Sequence, residues 1–471
     1  MHSLTKAILT PFSIGQVILI LFMICKRISM ISQRFWFPTT AIALFTLSSC
    51  TKIKAPPEVI LIESSSDVLI HWIKTGVRGA VAVNVNAHDD CAPIPSNNIA
   101  KLKRYHKTGN LAAIDLATSS PDSVLFGIND VISAACALGI ARKAIWVAPT
   151  LRAPTLVREH IPFFTCTLDS LPKLRKTPVL INVDADFVPA FAAQQLINLI
   201  EAIQRIGEKL RATPWNVVQI SVSFSVDGGY IPVRLRWVGN ALQEALEGKN
   251  LSRPEAPWSL LLKVEDWHGG LPPGEVVRKI RPLVHKRPDD PWLHVYLAEV
   301  LYKSGDVSGA LTEGLKAMEL DSGCCRILPE LGRQLADAGR LEEAERFLAA
   351  APAVMNVAAE QALALALDRA GRTVKAIEHL IRIREWQANY SVDLLIGYGY
   401  ERLRDTTKAR RYYRRAVSLL GATVGEMPAF PNTGRIAIAA ERFLKTVGDR
   451  KEAMTLRRDP RLISFFYNNE N

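Results

Sequence analysis

An α/β region with a mostly parallel sheet and flanking helices, followed by an all-α helical repeat region, is the fold class that this 471-residue sequence predicts. Two observations predict it. Between residues 58 and 266, short runs rich in Val and Ile alternate with stretches of helical periodicity. Near-continuous apolar runs of that length suit strands buried on both faces, and a strand–helix–strand order argues a parallel sheet. From residue 290 onward the strand-like runs stop, and small residues recur with a regular spacing.

Strands are expected at 59–62, 80–85, 144–148, 178–183, 217–224 and 260–264, where β-branched residues cluster. Helices are expected at 67–74, 127–138, 191–210 and 233–246, where apolar residues recur three and four apart. Pro254, Pro257, Pro272, Pro273, Pro282 and Pro288 then mark a linker. The domain boundaries that follow are 58–285 for the α/β region and 286–460 for the repeats.

The repeat is carried by Ala310, Ala344, Ala376 and Ala409, spaced 34, 32 and 33 residues apart. Twelve residues before each stands Ala298, Gly332, Ala364 or Gly397, and seven after stands Ala317, Ala351, Ile383 or Ala416. Gly305, Gly339 and Gly371 lie five residues before the first three alanines. Gly448 and Ala453 repeat that offset beyond an insert holding Pro428 and Pro431. This pattern resembles the tetratricopeptide repeat, a pair of antiparallel helices. Small residues let the two helices approach, and glycine ends the first in a left-handed turn. Stacked pairs form a concave groove, so the resemblance implies a protein or peptide partner.

Residues 1–50 form a signal region. The first acidic residue is Glu58. Arg34 precedes an apolar run from Phe35 to Leu47, closed by Ser48, Ser49 and Cys50. That order resembles a bacterial lipoprotein signal, which implies a diacylglyceryl group on Cys50. Because residues 7–25 form a second apolar run, the true start is placed at Met30; a membrane helix at 7–25 is the alternative. Thr51 after the cysteine favours the periplasmic face of an outer membrane, so the expected location is the bacterial cell envelope, lipid-anchored. Losing Lys6, Lys26, Arg27 and Arg34 with the signal takes the net charge from +12 to +8. No dense basic run interleaves with aromatics, so no nucleic-acid partner is expected. Cys91, Cys136, Cys166, Cys324 and Cys325 form no CxxC pair and read as small buried apolar residues.

One constellation could carry chemistry. Asn86, His88 and Asp90 end one predicted strand, and Asp184 and Asp186 end another. Side chains two apart on a strand point the same way, and parallel sheets bind ligands at the carboxyl ends of their strands. Two such clusters are expected to face each other across one crevice. Oxygen-rich sites with an imidazole suit Mn²⁺ or Zn²⁺.

The Asp-x-Asp segment and the His88, Asp90 pair resemble the metal-binding motifs of the arginase and deacetylase superfamily, nearest an uncharacterised arginase-like family. Supporting residues are Gly127, Ile128 and Asn129, the run from Ile145 to Pro149, and Gly228, Gly229 and Tyr230. The resemblance implies an arginase-like fold and a metal-dependent hydrolase acting on C–N bonds. Its ligands would be His88, Asp90, Asp184 and Asp186, and Asn86 would offer only a carbonyl oxygen. The aspartate that bridges two ions in that family is Asn86 here, and the upstream histidine ligand is replaced by a residue placed nearest Ser65. One divalent ion, Mn or Zn, is therefore expected rather than two. Glu265, at the end of the last predicted strand, is the candidate catalytic residue that would hold a guanidinium. The alternative is a non-catalytic scaffold that binds a protein partner through its repeat groove.

Overall fold

The computed structural model describes residues 57–118, 125–151, 162–174, 176–226, 230–253, 256–351, 357–386, 390–420, 433–459 and 462. Residues 1–56, with the expected signal region and Cys50, and the glycines Gly228 and Gly229 lie outside the described residues. Residues 57–471 make one compact unit. None of the described helices is long and apolar enough to cross a membrane.

Six strands form one all-parallel sheet: β1 (Glu58–Ile62), β2 (Ala80–Val85), β3 (Ala141–Val147), β4 (Phe163–Cys166), β5 (Pro178–Asp184) and β6 (Asn216–Ser223). Their order across the sheet is β1-β6-β5-β2-β3-β4. β2 is buried along its whole length, which explains its near-continuous apolar sequence. Helices α1 (Val68–Lys74), α2 (Ser96–Lys107), α3 (Leu111–Asp115), α4 (Val131–Ala137), α5 (Phe187–Gln195), α6 (Leu199–Arg211) and α7 (Trp237–Leu246) flank the sheet. Two apolar cores divide the flanking layers; Trp72 and Leu102 belong to one, Phe187 and Trp237 to the other.

Three expectations are corrected. The helix expected over 191–210 is two helices, because Leu196 turns left-handed (φ 54°) and the Asn198 side chain accepts the Glu201 N–H at 2.9 Å to start α6. The strand expected at 260–264 is part of helix α8 (Pro257–Gly270). Its buried residues Trp258, Leu261 and Val264 stand three apart, a helical spacing hidden within a run of leucines. The expected linker is also helical, since Pro257 and Pro273 open α8 and α9 (Pro273–Lys286), where a missing N–H costs nothing.

Ten further helices follow as five pairs. They are α10 (Pro291–Lys303) with α11 (Val307–Leu320), α12 (Ile327–Asp337) with α13 (Leu341–Ala350), and α14 (Val357–Arg369) with α15 (Thr373–Trp386). The last two are α16 (Tyr390–Arg402) with α17 (Thr406–Leu420), and α18 (Thr433–Thr446) with α19 (Arg450–Arg458). The small-residue register is kept: Ala298, Ala310, Ala344, Ala376 and Ala409 are buried where the helices of each pair meet. Gly305, Gly339, Gly371 and Gly448 all have positive φ, as the left-handed turn after a first helix requires. In the fourth pair Arg404 takes the same conformation (φ 60°) without the glycine.

One apolar core runs without a break from the sheet into the repeats. A polar network accompanies it. Arg234 bonds Glu265 on α8 at 3.1 Å and Glu299 on α10 at 3.3 Å, Tyr296 donates to Glu265 at 2.8 Å, and the Val233 N–H reaches Glu330 on α12 at 3.3 Å.

Candidate functional site

β2 and β5 are neighbours at the centre of the sheet, so the two acidic segments that follow them lie side by side. The strand argument for residues 86, 88 and 90 does not hold, because β2 ends at Val85. A turn brings them together instead. The Asn86 side chain accepts the His88 N–H at 2.9 Å, and Asp90 sits in the left-handed region (φ 49°). The loop is pinned from outside by Trp146, whose indole donates to the Asn86 carbonyl at 2.8 Å.

All five expected residues converge, and Ser65 joins them. His88 Nδ1 lies 3.0 Å from Asp186 Oδ2, and the Ala87 N–H reaches Asp186 Oδ1 at 3.2 Å. With a carboxylate opposite, Nδ1 carries the proton. Ser65 Oγ donates to Asp184 Oδ2 at 2.5 Å, and Ser225 Oγ donates to the other oxygen. Asp90 Oδ2 accepts from the side-chain amides of Asn86 at 2.5 Å and Asn84 at 3.1 Å. His88 is the exposed member, with 48% of its side chain accessible and its ring 4.6 Å from that of Tyr230.

Four participants were not anticipated. Ser223 donates to Asn182 at 2.9 Å, Asn182 to Asn84 at 3.1 Å, and Asn84 to Asp90, so a polar chain crosses β6, β5 and β2. Ser225 closes the set. The signal was present: an asparagine inside a fully buried strand is costly unless it is bonded, so Asn84 and Asn182 each announce a partner.

Burial pushes the carboxyls of Asp90 and Asp184 well above their ordinary range, and the charges of Asp184 and Asp186 (for Asp90) and of Asp186 (for Asp184) add to it. The chain itself supplies donors to these carboxylates. Both oxygens of Asp184 and both of Asp186 accept bonds from the chain, and two amides converge on one oxygen of Asp90. Among the described residues, no three His, Cys, Asp or Glu side chains are disposed to hold a cation.

Glu265 stands on helix α8 rather than at a strand end, and its carboxylate is taken by Arg234 and Tyr296. No disulfide joins any two of the five described cysteines, and Cys91, Cys166 and Cys324 are buried.

A second feature lies in the repeats. The first helices of pairs two and three pack together, α12 on α14, and so do those of pairs four and five, α16 on α18. Between α14 and α16 the stack opens into a groove of about 720 Å³. Ala376, Ile377 and Leu380 of α15 line it together with Leu365 and Leu395.

No family model matches this sequence, and no curated protein does either. Solved structures match in part. A structure titled for the functional characterisation of Pseudomonas aeruginosa pilF is 22% identical, covering 39% of this chain and 81% of that one, with a TM-score of 0.27. The C-terminal part of a TPR repeat-containing protein from Cytophaga hutchinsonii is 14% identical, covering 43% of this chain and 98% of that one, with a TM-score of 0.25. The APC/C hetero-tetramer Cut9-Hcn1 is 13% identical, covering 58% and 48%, with a TM-score of 0.25. At those scores the likenesses do not bear on function.

Proposed function

We propose that this protein is a binding scaffold whose tetratricopeptide-like groove holds a segment of a protein partner. The observation that carries this reading is the open groove between α14 and α16, with apolar side chains in its wall where neighbouring pairs are closed. Apolar surface left in a concavity is most stable when covered. The α/β region is read as an arginase-like relative in which chain donors have taken the places of ions. What supports this is the position of Ser65, whose hydroxyl bonds Asp184 where the family pattern would put an imidazole ligand. The cluster is then a brace, and no hydrolytic step is derived from it.

Peptide display on the full chain, counter-selected on an Ala439→Trp variant that fills the groove, tests the scaffold reading. Peptides that bind only the unfilled groove are expected. Recovery of no groove-dependent peptide would overturn it. The tether is part of the same reading: Cys50 would carry the lipid and hold the chain on the envelope membrane. Labelling with a fatty-acid analogue is expected to be lost in Cys50→Ser, and retained label would remove the anchor.

A further inference from the structure

The groove has a chemistry as well as a shape. Four arginines line it, Arg333, Arg369, Arg402 and Arg435, against two aspartates, Asp337 and Asp368. Arg333 pairs with Asp337 at 3.1 Å and Arg402 pairs with Asp368, which uses up both aspartates. Arg369 and Arg435 are exposed and have no ion-pair partner among the described residues. They stand on α14 and α18, one on each side of α16. The excess charge of this wall is therefore positive.

The second observation is independent of charge. Gln361 on α14 lines the groove and is 2% exposed, yet neither its amide oxygen nor its amide nitrogen has a hydrogen-bond partner. A buried amide left unsatisfied is costly, so such groups are rare unless something else completes them. One donor and one acceptor on the same planar group match the C=O and N–H of a passing peptide bond. Leu365, Ile377, Leu380 and Leu395 beside it offer an apolar wall for a side chain.

We propose that this groove receives an extended acidic peptide, with an apolar side chain seated between α14 and α16, its backbone held by Gln361 and its carboxylates by Arg369 and Arg435. The proposal rests on the scaffold reading of the groove and adds the partner's chemistry. Arg369 and Arg435 can each take a carboxylate in a two-pronged geometry. Gln361 contributes no selectivity for sequence, since every peptide bond offers the same pair of groups.

Fluorescence polarisation on the full chain tests it. The probe is a short fluorescein-labelled peptide of glutamates around a central leucine pair; the control replaces each glutamate with lysine. Saturable binding of the acidic probe is expected, tighter than the control by about tenfold or more and weakening as salt rises. Arg369→Glu with Arg435→Glu should lower affinity by about tenfold or more, both sites being exposed and without an ion pair among the described residues. Gln361→Leu should weaken binding about fivefold while leaving thermal stability equal or higher, because it removes an unsatisfied buried amide. A structural role for Gln361 would move stability the other way. Equal binding of both peptides, or no effect of the charge reversal, would overturn the proposal. Groove-dependent peptides that are not acidic in the display selection would overturn it too, and would leave the scaffold reading intact.

Discussion

Replacing Asn86 with aspartate is the most searching test of the carboxylate cluster. The Asn86 amide donates to Asp90 Oδ2 at 2.5 Å, and both residues are 2% exposed. Asn86→Asp removes the donor and sets an acceptor against an acceptor at the same distance. A buried intramolecular hydrogen bond contributes about 1 kcal/mol, and a buried acceptor left without a donor costs about 1–3 kcal/mol more. Asn84 still donates to Asp90 at 3.1 Å, so the loss is partial. The expected destabilisation is about 2–4 kcal/mol, read by urea denaturation with chelator present. The wild-type midpoint should be unchanged by chelator or by Mn²⁺. The double variant Asn86→Asp, Ser65→His should regain stability on adding Mn²⁺, by about 2.7 kcal/mol at a hundredfold excess over the dissociation constant. A stoichiometric Mn²⁺ stabilisation of the wild type would refute the reasoning that chain donors satisfy the carboxylates. An Asn86→Asp variant as stable as the wild type would refute the strength assigned to the amide bond.

Three further outcomes are expected. Gly207→Ala should destabilise by about 1–2 kcal/mol, because the added Cβ would lie 2.8 Å from the carbonyl carbon, carbonyl oxygen and Cβ of Ala245, an overpacking that outweighs the helix-propensity gain of about 1 kcal/mol. Gly269→Ala, with nothing within 4 Å, should show that gain instead, and thermal melts of the pair decide it. Arg404→Gly should stabilise the fourth helix pair by about 1 kcal/mol, since Arg404 holds φ 60° without glycine's freedom; a lower melting temperature would contradict this. Burial raises the Asp130 carboxyl to about 7 from 3.8. A raised folded value means that its stabilisation is complete below about 4 and is lost as pH climbs through about 7. Asp130→Asn should therefore grow more stable relative to the wild type over that interval, by at most about 4 kcal/mol. A pH-independent difference between the two would show that Asp130 is not held protonated.

Legibility in the sequence followed range of interaction. β2, β3 and β5 were readable because burial leaves a near-continuous apolar run, and β1 and β6, half-buried over part of their length, because β-branched residues cluster in them. β4 was missed because it is four residues long and Phe164 faces solvent. The run Leu260, Leu261, Leu262 carries no period of its own, and only the packing partners of Trp258, Leu261 and Val264 make it a helix. The break at Leu196 was hidden for a related reason, since nothing local marks a leucine for a left-handed turn. In the site, the rule that ligands gather at the carboxyl ends of parallel strands anticipated that the segments at His88, Asp90 and at Asp184, Asp186 lie side by side, and only the family resemblance pointed to Ser65. Neither yielded Asn84, Asn182, Ser223 and Ser225, whose roles arise only where three strands lie side by side. The repeat register was legible because each small residue answers a contact within its own helix pair, whereas the opening between α14 and α16 depends on how successive pairs lean.

The network around Arg234 bears on how this chain could be divided. Cutting after residue 285, where one set of periodicities gives way to another, would leave Arg234 without Glu299, Glu265 without Tyr296, and Glu330 without the Val233 N–H. It would also lay open the apolar seam the two halves share. Neither fragment would inherit a finished surface, so each should misfold or clump when made alone. The visible seam in the sequence is thus not a seam in the folded chain. An engineer wanting to transplant the groove would have to carry the sheet with it or rebuild the exposed flank of α10 and α12 in polar residues.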